Sequence, residues 1–406
     1  IPGGIEARPD SAGSVLPGSR CAVSFAGYTG SRPMNIVMFS SNYPPHPGGL
    51  EVMARNVAEG LARRHSVGVV STAFREAPST RVENGADVHR VRGWHGTEGW
   101  GVPYPVPVDP RLRAILRSFP RPDIVLTHGA LYATTLAAVW FARRWDAPLV
   151  LVEHVGFVPY GSAALRALQT AAWRLLGDRA VGRCRAVVTY NARVESWLRE
   201  RFPLGRVRFI GNGVDHGRFV PRPATEKAGL RARFGLPAEV PVALFVGRDT
   251  GKKNLASVLA IPRDGFHLAV CGSERELPPD VTNLGVLPYD RMPDLYAAVD
   301  VMIHASVGEG FPLAVQEALA SGLPLAVLWD EGYRTQLSRE TVAACDGLGE
   351  LGGALRTLLR DDGRRAELSA LGRAWAVSHW AWTSTIERYE ELFSELVRGD
   401  ADGTAA

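Results

Sequence analysis

Lysine and cysteine are both scarce in this chain of 406 residues. Only three lysines stand beside 43 arginines, which makes the adjacent pair Lys252 and Lys253 conspicuous. The four cysteines lie far apart and match neither a metal site nor a disulfide framework, which favours a reducing compartment. No apolar run reaches the roughly 18 to 20 residues that a bilayer-spanning helix needs. The first residues also lack the pattern of a signal peptide, so we predict a cytoplasmic protein.

Charge divides the sequence into two parts. Residues 1–221 contain 27 basic and 16 acidic residues, whereas residues 222–406 contain 19 basic and 26 acidic residues. Such a change of sign favours two separate units and suggests that the first faces something anionic. An anionic membrane surface at the inner face of the membrane is one such partner, and an anionic soluble acceptor is another. The charge could equally serve solubility alone. Nucleic acid binding is not expected, because stacking aromatics are not interleaved with the basic residues.

Strands and helices alternate from Met34 onwards. NIVMFSS predicts a strand, NYPPHPGGLE a loop, VMARNVAEGLARR a helix and HSVGVVSTA a second strand. The alternation continues, with a long helix predicted over Ala164–Arg185, and it predicts a doubly wound parallel sheet. A second series of the same kind begins at VALFVG, and after its strand LPLAVLW we predict only helices. The fold class is therefore α/β, with two Rossmann-like domains and a cleft between them.

The stretch Ile303–Gly322 is the strongest candidate site. It predicts a buried strand, a glycine-rich loop containing Glu309, and an amphipathic helix with Pro312 in its first turn and Glu317 further along. Helix N-terminal amides suit phosphate oxygens, and carboxylates suit the hydroxyls of ribose or hexose. A surface helix with two solvated glutamates is the alternative that this spacing leaves open.

The loop after the strand VALFVG carries several cationic side chains. Arg248, Lys252 and Lys253 lie between that strand and the helix predicted from Leu255. Cations at such a position suit a diphosphate, because arginine offers a two-pronged donor and lysine a compact charge. The alternative is a solvated basic turn.

Three features of the first part complete the candidate site. Gly48 and Gly49 lie where the first strand gives way to the first helix, where glycines allow backbone amides to approach a ligand. His128 and His154 end two later strands, and ligands of open α/β sheets gather at such ends. A tight turn without a ligand and two structural histidines are the alternatives.

Together these parts predict a nucleoside diphosphate held by the second domain. Glu317 would hold the ribose, Arg248 and Lys253 the diphosphate, and Glu309 the attached group. Gly49 and His154 would approach from the first domain. No Asp-x-Asp pair lies near the motif, so we predict no metal and expect cations and amides to stabilise the leaving group.

Six segments in this order resemble the family 4 retaining glycosyltransferases, the group 1 glycosyltransferase type. They run from about Asn35 to Leu396 and read SNYPPHPGGLE, IGNGVDHGRF, FVGRDTGKKN, LYAAVDVMIHAS, GEGFPLAVQEALASGLP and HWAWTSTIERYEELFSEL. Residues 329–350 depart from the family pattern, with Gly332 alone where a glycine pair is usual. The resemblance implies a GT-B fold with a C-terminal helix that crosses back to the first domain.

The resemblance also implies an activity: transfer of a sugar from a nucleotide-diphosphate donor, linked to UDP or GDP, with retention of anomeric configuration. The acceptor would be a small molecule, a glycan or a lipid-linked sugar. By position, the catalytic group is His154, Glu309, Arg248 and Lys253. The residues implied in donor binding are Gly48, Gly49, Gly310, Phe311, Pro312, Leu313 and Glu317.

We predict five segments from these observations. They are a disordered leader over 1–33, a first domain over 34–212, a hinge over 213–229, a second domain over 230–377, and the crossover helix and tail over 378–406. Two other functions remain open. One is a catalytically silent relative that binds a nucleotide sugar or supports a partner enzyme, and the other is a sugar-nucleotide epimerase, since fold does not determine chemistry.

Overall fold

A computed structural model describes residues 32–46, 48–74, 77–96, 104–157, 163–202 and 204–401. The leader predicted over 1–33 lies outside these residues except for its last two positions. The described chain is built around two sheets, one in each half, and both are covered by helices.

The first half contains an eight-stranded sheet in the order β10-β9-β8-β7-β1-β2-β4-β3, together with a small hairpin, β5-β6. All pairings in the large sheet are parallel except that of β3 with β4. The strands are β1 (Asn35–Phe39), β2 (Ser66–Thr72), β3 (Ser79–Glu83), β4 (Ala86–Val91), β5 (Gly93–Trp94), β6 (Val106–Pro107), β7 (Ile124–His128), β8 (Leu149–Val152), β9 (Ala186–Thr189) and β10 (Val207–Phe209). The helices are α1 (Gly49–Ala62), α2 (Leu112–Ser118), α3 (Ala133–Trp145), α4 (Ala163–Ala172), α5 (Asp178–Val181) and α6 (Ala192–Arg201), with a π-helical segment, Trp173–Gly177, joining α4 to α5.

The second half contains a six-stranded parallel sheet in the order β13-β12-β11-β14-β15-β16. Its strands are β11 (Val242–Val246), β12 (His267–Cys271), β13 (Val281–Asn283), β14 (Val301–His304), β15 (Leu325–Leu328) and β16 (Ala343–Cys345). Its helices are α7 (Lys227–Arg233), α8 (Leu255–Leu259), α9 (Met292–Ala298), α10 (Leu313–Ala320), α11 (Leu348–Arg360) and α12 (Asp362–His379). The last helix is α13 (Trp382–Ala401).

The central strands are apolar throughout because helices cover both faces of the sheet. On one face of the first sheet, Phe141 of α3 and Trp173 of the π-helical segment belong to the same buried cluster. The opposite face packs on α1 and joins a second cluster that continues into the other half through Phe311, Tyr333 and Trp380. A shared apolar core therefore connects the halves.

Helix α13 returns to the first half, as predicted for the crossover helix. Its buried Glu390 lies 2.8 Å from Arg64 Nη1 and 3.2 Å from His65 Nε2, just beyond the end of α1. Ile386 packs so closely on α1 that a Cβ at Gly60 would come within 2.6 Å of it. The helix thereby fixes the first half against the second.

The α/β GT-B architecture is as predicted, but three local predictions were wrong. Strand β3, with the sequence STRVE, is an exposed antiparallel edge strand, so the first sheet is not wholly parallel. Strand β16 interrupts the stretch in which only helices were expected; its three residues are too few to show a period. The predicted long helix is present from Ala163 to Val181, and its middle turn is π-helical.

The third error concerns α10, which is not amphipathic. It is buried from Val315 to Ala320, including Glu317, while Leu313 is only half-buried. The helix also begins after Pro312, which occupies the N-cap position. Burial on nearly all sides arises because the second sheet, α12 and the other half enclose this helix, and no short period reveals such an environment. None of the described helices combines the length and apolarity that a bilayer span requires.

Candidate active site

The loop between β14 and α10 carries an ionised glutamate. Gly308 has a φ of 66°, which a glycine adopts without a Cβ penalty, and Glu309 follows it. The Glu309 carboxylate lies 2.9 Å from Lys253 Nζ and 3.7 Å from Lys252 Nζ. Burial raises the pKa of this carboxyl, but the two ammonium groups outweigh burial and hold the pKa at about 2. Glu309 is therefore a largely enclosed anion, 11% exposed, with its countercharge already in place.

The lysines reach Glu309 because two loops are joined through their backbones. Val307 N donates to the Lys252 carbonyl at 2.8 Å. Asn254, which has a φ of 53°, donates from Nδ2 to the Ala305 carbonyl at 2.8 Å. The Lys253 side chain is 16% exposed and that of Lys252 is 42% exposed, so Lys253 is the more enclosed of the pair.

Arg248 is exposed just beyond β11, on the side of the first half. Its positive charge acts on the phenol of Tyr132, which follows β7. Burial raises the pKa of Tyr132, and Arg248 partly offsets this effect. The cationic loop is therefore directed towards the first half.

Three hydroxyls follow neighbouring strands of the second sheet without a hydrogen-bond partner among the described residues. They are Thr250 Oγ1 after β11, Ser273 Oγ after β12 and Ser306 Oγ after β14. Buried polar groups in native proteins are normally paired. Unpaired hydroxyls at the carboxyl ends of adjacent strands are typical of a site that a polar ligand completes.

Glu317 has tyrosine partners in place of lysines. Tyr296 Oη donates to its carboxylate at 2.9 Å, and Tyr289 also hydrogen-bonds to it. Burial raises the pKa of Glu317 to about 7, against the opposing effects of these hydrogen bonds and of Arg218. The Tyr289 ring lies beneath two guanidinium groups, at 5.5 Å from Arg55 of α1 and 4.8 Å from Arg218.

The two predicted histidines form a stacked pair. Their ring centroids are 5.3 Å apart, and His128 Nδ1 lies 3.1 Å from His154 Nε2. The other nitrogen of His154 lies 2.7 Å from Tyr190 Oη. Burial, aided by His128, holds the pKa of His154 well below its ordinary value, and burial lowers that of His128 to about 3. Both rings are therefore neutral, and His128 Nε2 has no hydrogen-bond partner among the described residues.

The halves meet directly at Gly310. A Cβ there would lie 2.6 Å from the His154 carbonyl oxygen and 2.8 Å from the Tyr190 ring. Asn191 Nδ2 donates to the carbonyls of Glu309, at 3.2 Å, and of Gly310. The glutamate loop and His154 thus lie against each other where the halves meet.

The remaining predicted positions differ in how they face the cleft. Gly49 lies against Leu313, since a Cβ on the glycine would be 3.7 Å from the Leu313 side chain. A Cβ at Gly48 would collide with Glu51, whose carboxylate lies 2.7 Å from buried His46. Phe311 points away into the core between the rings of Tyr333 and Trp380.

Sequence reasoning missed several polar residues at this site. Tyr190, Asn191 and Tyr289 lie in none of the six family-like segments, and Tyr296 lies in LYAAVDVMIHAS but was given no role. Asn191 directly precedes α6 and caps it, which is a signal that the sequence does offer. The altered segment after β15 also has a visible role, because Asp330 forms a 3.0 Å ion pair with Arg193 of α6. Among the described residues, no group of three or more His, Cys, Asp or Glu side chains could hold a metal ion.

Two family models match the chain and together cover most of it. The model of Glycosyltransferase Family 4 matches residues 47–218, and that of Glycosyl transferases group 1 matches residues 226–375. The chain belongs to the group 1 glycosyltransferases of the family 4 type, as the sequence motifs predicted. It is accordingly a glycosyltransferase that uses nucleotide-sugar donors.

Individual relatives are similar over most of their length. A D-inositol 3-phosphate glycosyltransferase from Xylanimonas cellulosilytica is 30% identical over 68% of this chain and 72% of its own. A GDP-mannose-dependent alpha-mannosyltransferase from Mycolicibacterium smegmatis is 29% identical over 85% of this chain and 94% of its own. The structure of sucrose-phosphate synthase from Thermosynechococcus elongatus superimposes with a TM-score of 0.75 at 18% identity, covering 91% of this chain and all of that one. That structure supports the GT-B fold.

Proposed function

We propose that this glycosyltransferase moves a sugar from a nucleoside diphosphate to an acceptor hydroxyl with retention of anomeric configuration and without a metal ion. The arrangement that carries the proposal is the contact of Lys253 and Lys252 with Glu309, together with exposed Arg248 on the same cationic loop. Cations and unpaired hydroxyls placed at the ends of β11, β12 and β14 suit a diphosphate that leaves with growing negative charge.

Each half has its own task in this proposal. Lys253 and Arg248 stabilise the diphosphate, and binding of the phosphates frees Glu309 from its lysines to accept hydrogen bonds from the sugar. Glu317 accepts from the ribose hydroxyls. His154, a neutral ring fixed by Tyr190 and His128, contacts the sugar from the first half.

The reaction that follows is a front-face displacement. The acceptor oxygen attacks the anomeric carbon on the side from which the diphosphate departs, and the carbon–oxygen bond to the phosphate breaks. The acceptor proton passes to the departing phosphate oxygen, so the products are free nucleoside diphosphate and a glycoside that keeps the anomeric configuration of the donor. Contact of the halves at Gly310 keeps water out of this step.

The donor carries UDP or GDP, and the acceptor is a small molecule, a glycan or a lipid-linked sugar in the cytoplasm or at the inner face of the membrane. The relative from M. smegmatis, named for GDP-mannose, supports a guanine nucleotide among the first donors to test. The relative from X. cellulosilytica supports a phosphorylated cyclitol among the first acceptors.

Purified protein should release nucleoside diphosphate when it is offered a matching donor and acceptor, and NMR of the product should show the anomeric configuration of the donor. Release of nucleoside diphosphate should need no added metal and should be unchanged by a chelator. An inverted product would contradict the front-face displacement. Absence of release with any pair, together with calorimetric binding of a donor, would favour a catalytically silent relative.

His154→Ala should lower turnover by about 10²-fold, because it removes a sugar contact made from a prealigned ring. Its matched control is His65→Ala, a buried histidine at the far end of α1 that contacts Glu390. Unchanged turnover in His154→Ala would remove this residue from the proposed site.

A further inference from the structure

One face of the first half combines exposed leucines with arginines. Helices α2 and α3 and the segment from α4 to α5 contain seven arginines, all exposed, and a single acidic residue, Asp178. Asp178 forms an ion pair with Arg201, with 2.8 Å between Asp178 Oδ2 and Arg201 Nη2. We refer to these three helical segments as the basic face.

The opposite face of the same half has the reverse balance. Helices α1 and α13 together contain seven acidic residues and three arginines. The basic face therefore has a formal charge of +6, from seven arginines and one aspartate, whereas α1 and α13 together have a formal charge of −4. An even distribution of charge for solubility does not require such a separation.

Large apolar side chains are exposed on the basic face. Leu168 is 65% exposed and Leu175 is 58% exposed. They are seven residues apart, about two helical turns, and so share one side of the segment. Gln169 and Trp173 face the core instead. The side that should be polar on a solvent-exposed helix therefore carries two large apolar side chains about two turns apart.

The start of α4 is exposed to solvent. All six residues over 163–168 are exposed, and Leu165 among them is 43% exposed. On neighbouring α3, Leu136 and Trp140 are 46% and 51% exposed and lie one turn apart.

We propose that the basic face docks on an anionic lipid bilayer, with Leu168 and Leu175 entering the boundary between headgroups and acyl chains. Protruding leucines flanked by arginines are the pattern of interfacial helices, in which apolar burial and attraction to anionic lipid act together. Seven arginines against one matched acid complement a negative surface.

The orientation brings the cleft close to the lipid. Helices of a parallel βα layer begin at the edge where the strands end, and α4 begins nine residues after His154. Leu165 and Leu168 therefore lie on the cleft side of the domain. A docked molecule would receive its acceptor from the membrane surface. This consequence rests on the proposed function, but the docking proposal does not depend on that function.

Vesicle sedimentation tests docking without any need for catalysis. The full chain is mixed with vesicles of phosphatidylcholine alone or of phosphatidylcholine with phosphatidylglycerol. We expect the chain to bind the anionic vesicles at about 0.1 M salt. At about 1 M salt this binding should be about tenfold weaker or more. Failure of the wild-type chain to bind, or equal binding to uncharged vesicles, would overturn the proposal.

Two double variants separate the apolar and electrostatic contributions. Leu168→Ser with Leu175→Ser, and Arg143→Glu with Arg174→Glu, should each weaken binding by about tenfold or more. The matched control is Leu371→Ser with Val377→Ser, because these α12 side chains are 42% and 43% exposed but lie in the other half.

All three variants should keep the wild-type melting temperature and the wild-type release of nucleoside diphosphate in the absence of vesicles. Equal loss of vesicle binding in the α12 control would overturn the assignment to the basic face. If the leucine variant instead abolished self-association measured by light scattering without lipid, the face would be an interface between copies, and the bilayer proposal would be wrong.

Discussion

Glu309 and Glu317 belong to one short motif and both have little exposure, yet their protonation differs. Two lysines hold the pKa of Glu309 at about 2, whereas Glu317, with tyrosine partners, has a pKa raised to about 7. Burial acts in the same direction on both carboxyls. The partner decides the outcome, since an ammonium group stabilises the charged form far more than a phenol does.

The difference suits two kinds of ligand chemistry. An anion held by cations can exchange those cations for phosphate and be released to the sugar. A carboxyl that titrates near neutrality takes its charge when ribose hydroxyls hydrogen-bond to it. The same residue type can thus serve the reacting end and the binding end of one donor.

The largest expected effect comes from Lys253→Ala. This change removes the enclosed cation beside Glu309 and a positive charge from the proposed diphosphate site, so turnover should fall by about 10²-fold or more. Steady-state release of nucleoside diphosphate measures it. Lys252→Ala is the control, and its effect should be about tenfold at most, because that side chain is farther from Glu309 and more exposed. Equal losses of turnover in the two variants would contradict the different roles assigned to the two lysines.

Glu317→Gln should weaken binding of the nucleoside diphosphate by about tenfold, because a neutral amide replaces a charge-assisted acceptor for the ribose. Titration calorimetry with the nucleoside diphosphate measures this affinity. Glu309→Gln is the counterpart and should leave that affinity nearly unchanged while lowering turnover. A reversed result would exchange the two assigned roles.

Stability should depend on pH in opposite ways at the two glutamates. The ordinary carboxyl pKa is 4.5, and that of Glu317 is raised in the folded chain. Between pH 4.5 and about 7, Glu317 therefore binds more protons in the folded chain than in the unfolded chain. Its contribution is fully present below pH 4.5 and declines by about 3 kcal/mol as the pH rises to 7. The contribution of Glu309 is present above pH 4.5 and is lost as the pH falls towards 2.

Melting temperatures of the wild type and Glu317→Gln across this range test the slope. The wild type should lose stability relative to Glu317→Gln between pH 4.5 and 7. Relative to Glu309→Gln it should show no such loss in this range, because that variant retains Glu317. Parallel curves for the wild type and Glu317→Gln would contradict the raised pKa of Glu317.

The smallest effect is expected from Tyr296→Phe, which removes one hydrogen bond to Glu317 and costs about 1 kcal/mol of stability. Because that bond favours the charged carboxylate, its loss should move the pKa of Glu317 further upward. The pH at which the Glu317-dependent slope levels off should therefore rise. A downward shift would show that the phenol stabilises the protonated form.

Much of the fold was readable from local patterns. Apolar runs such as VALFV and VMIH predicted buried strands, and the alternation with helices predicted parallel sheets. Strand β3 was not predicted because an exposed edge strand has no apolar face. Strand β16 was not predicted because three residues cannot show a period. Helix α10 was taken as amphipathic because a sequence does not reveal how many neighbours enclose a helix.

Only those residues of the candidate site that belong to sequence motifs, or that follow predicted strands, could be predicted. Glu309, Glu317, Lys253 and His154 were selected from spacing and from their places after strands, and their roles remain predictions. Tyr190 and Tyr296 were not selected, because each becomes relevant through a residue far away in the chain. Contacts between distant segments leave no local period or spacing to read.

By itself, the sequence determined the order of strands and helices, the glycine turns and the chemical groups available at strand ends, since these depend on neighbours along the chain. Tertiary structure alone decided that two lysines neutralise Glu309, that His128 and His154 stack, and that leucines of α4 face outward. Charge state and exposure depend on what lies within a few ångströms in space, and folding brings those neighbours together.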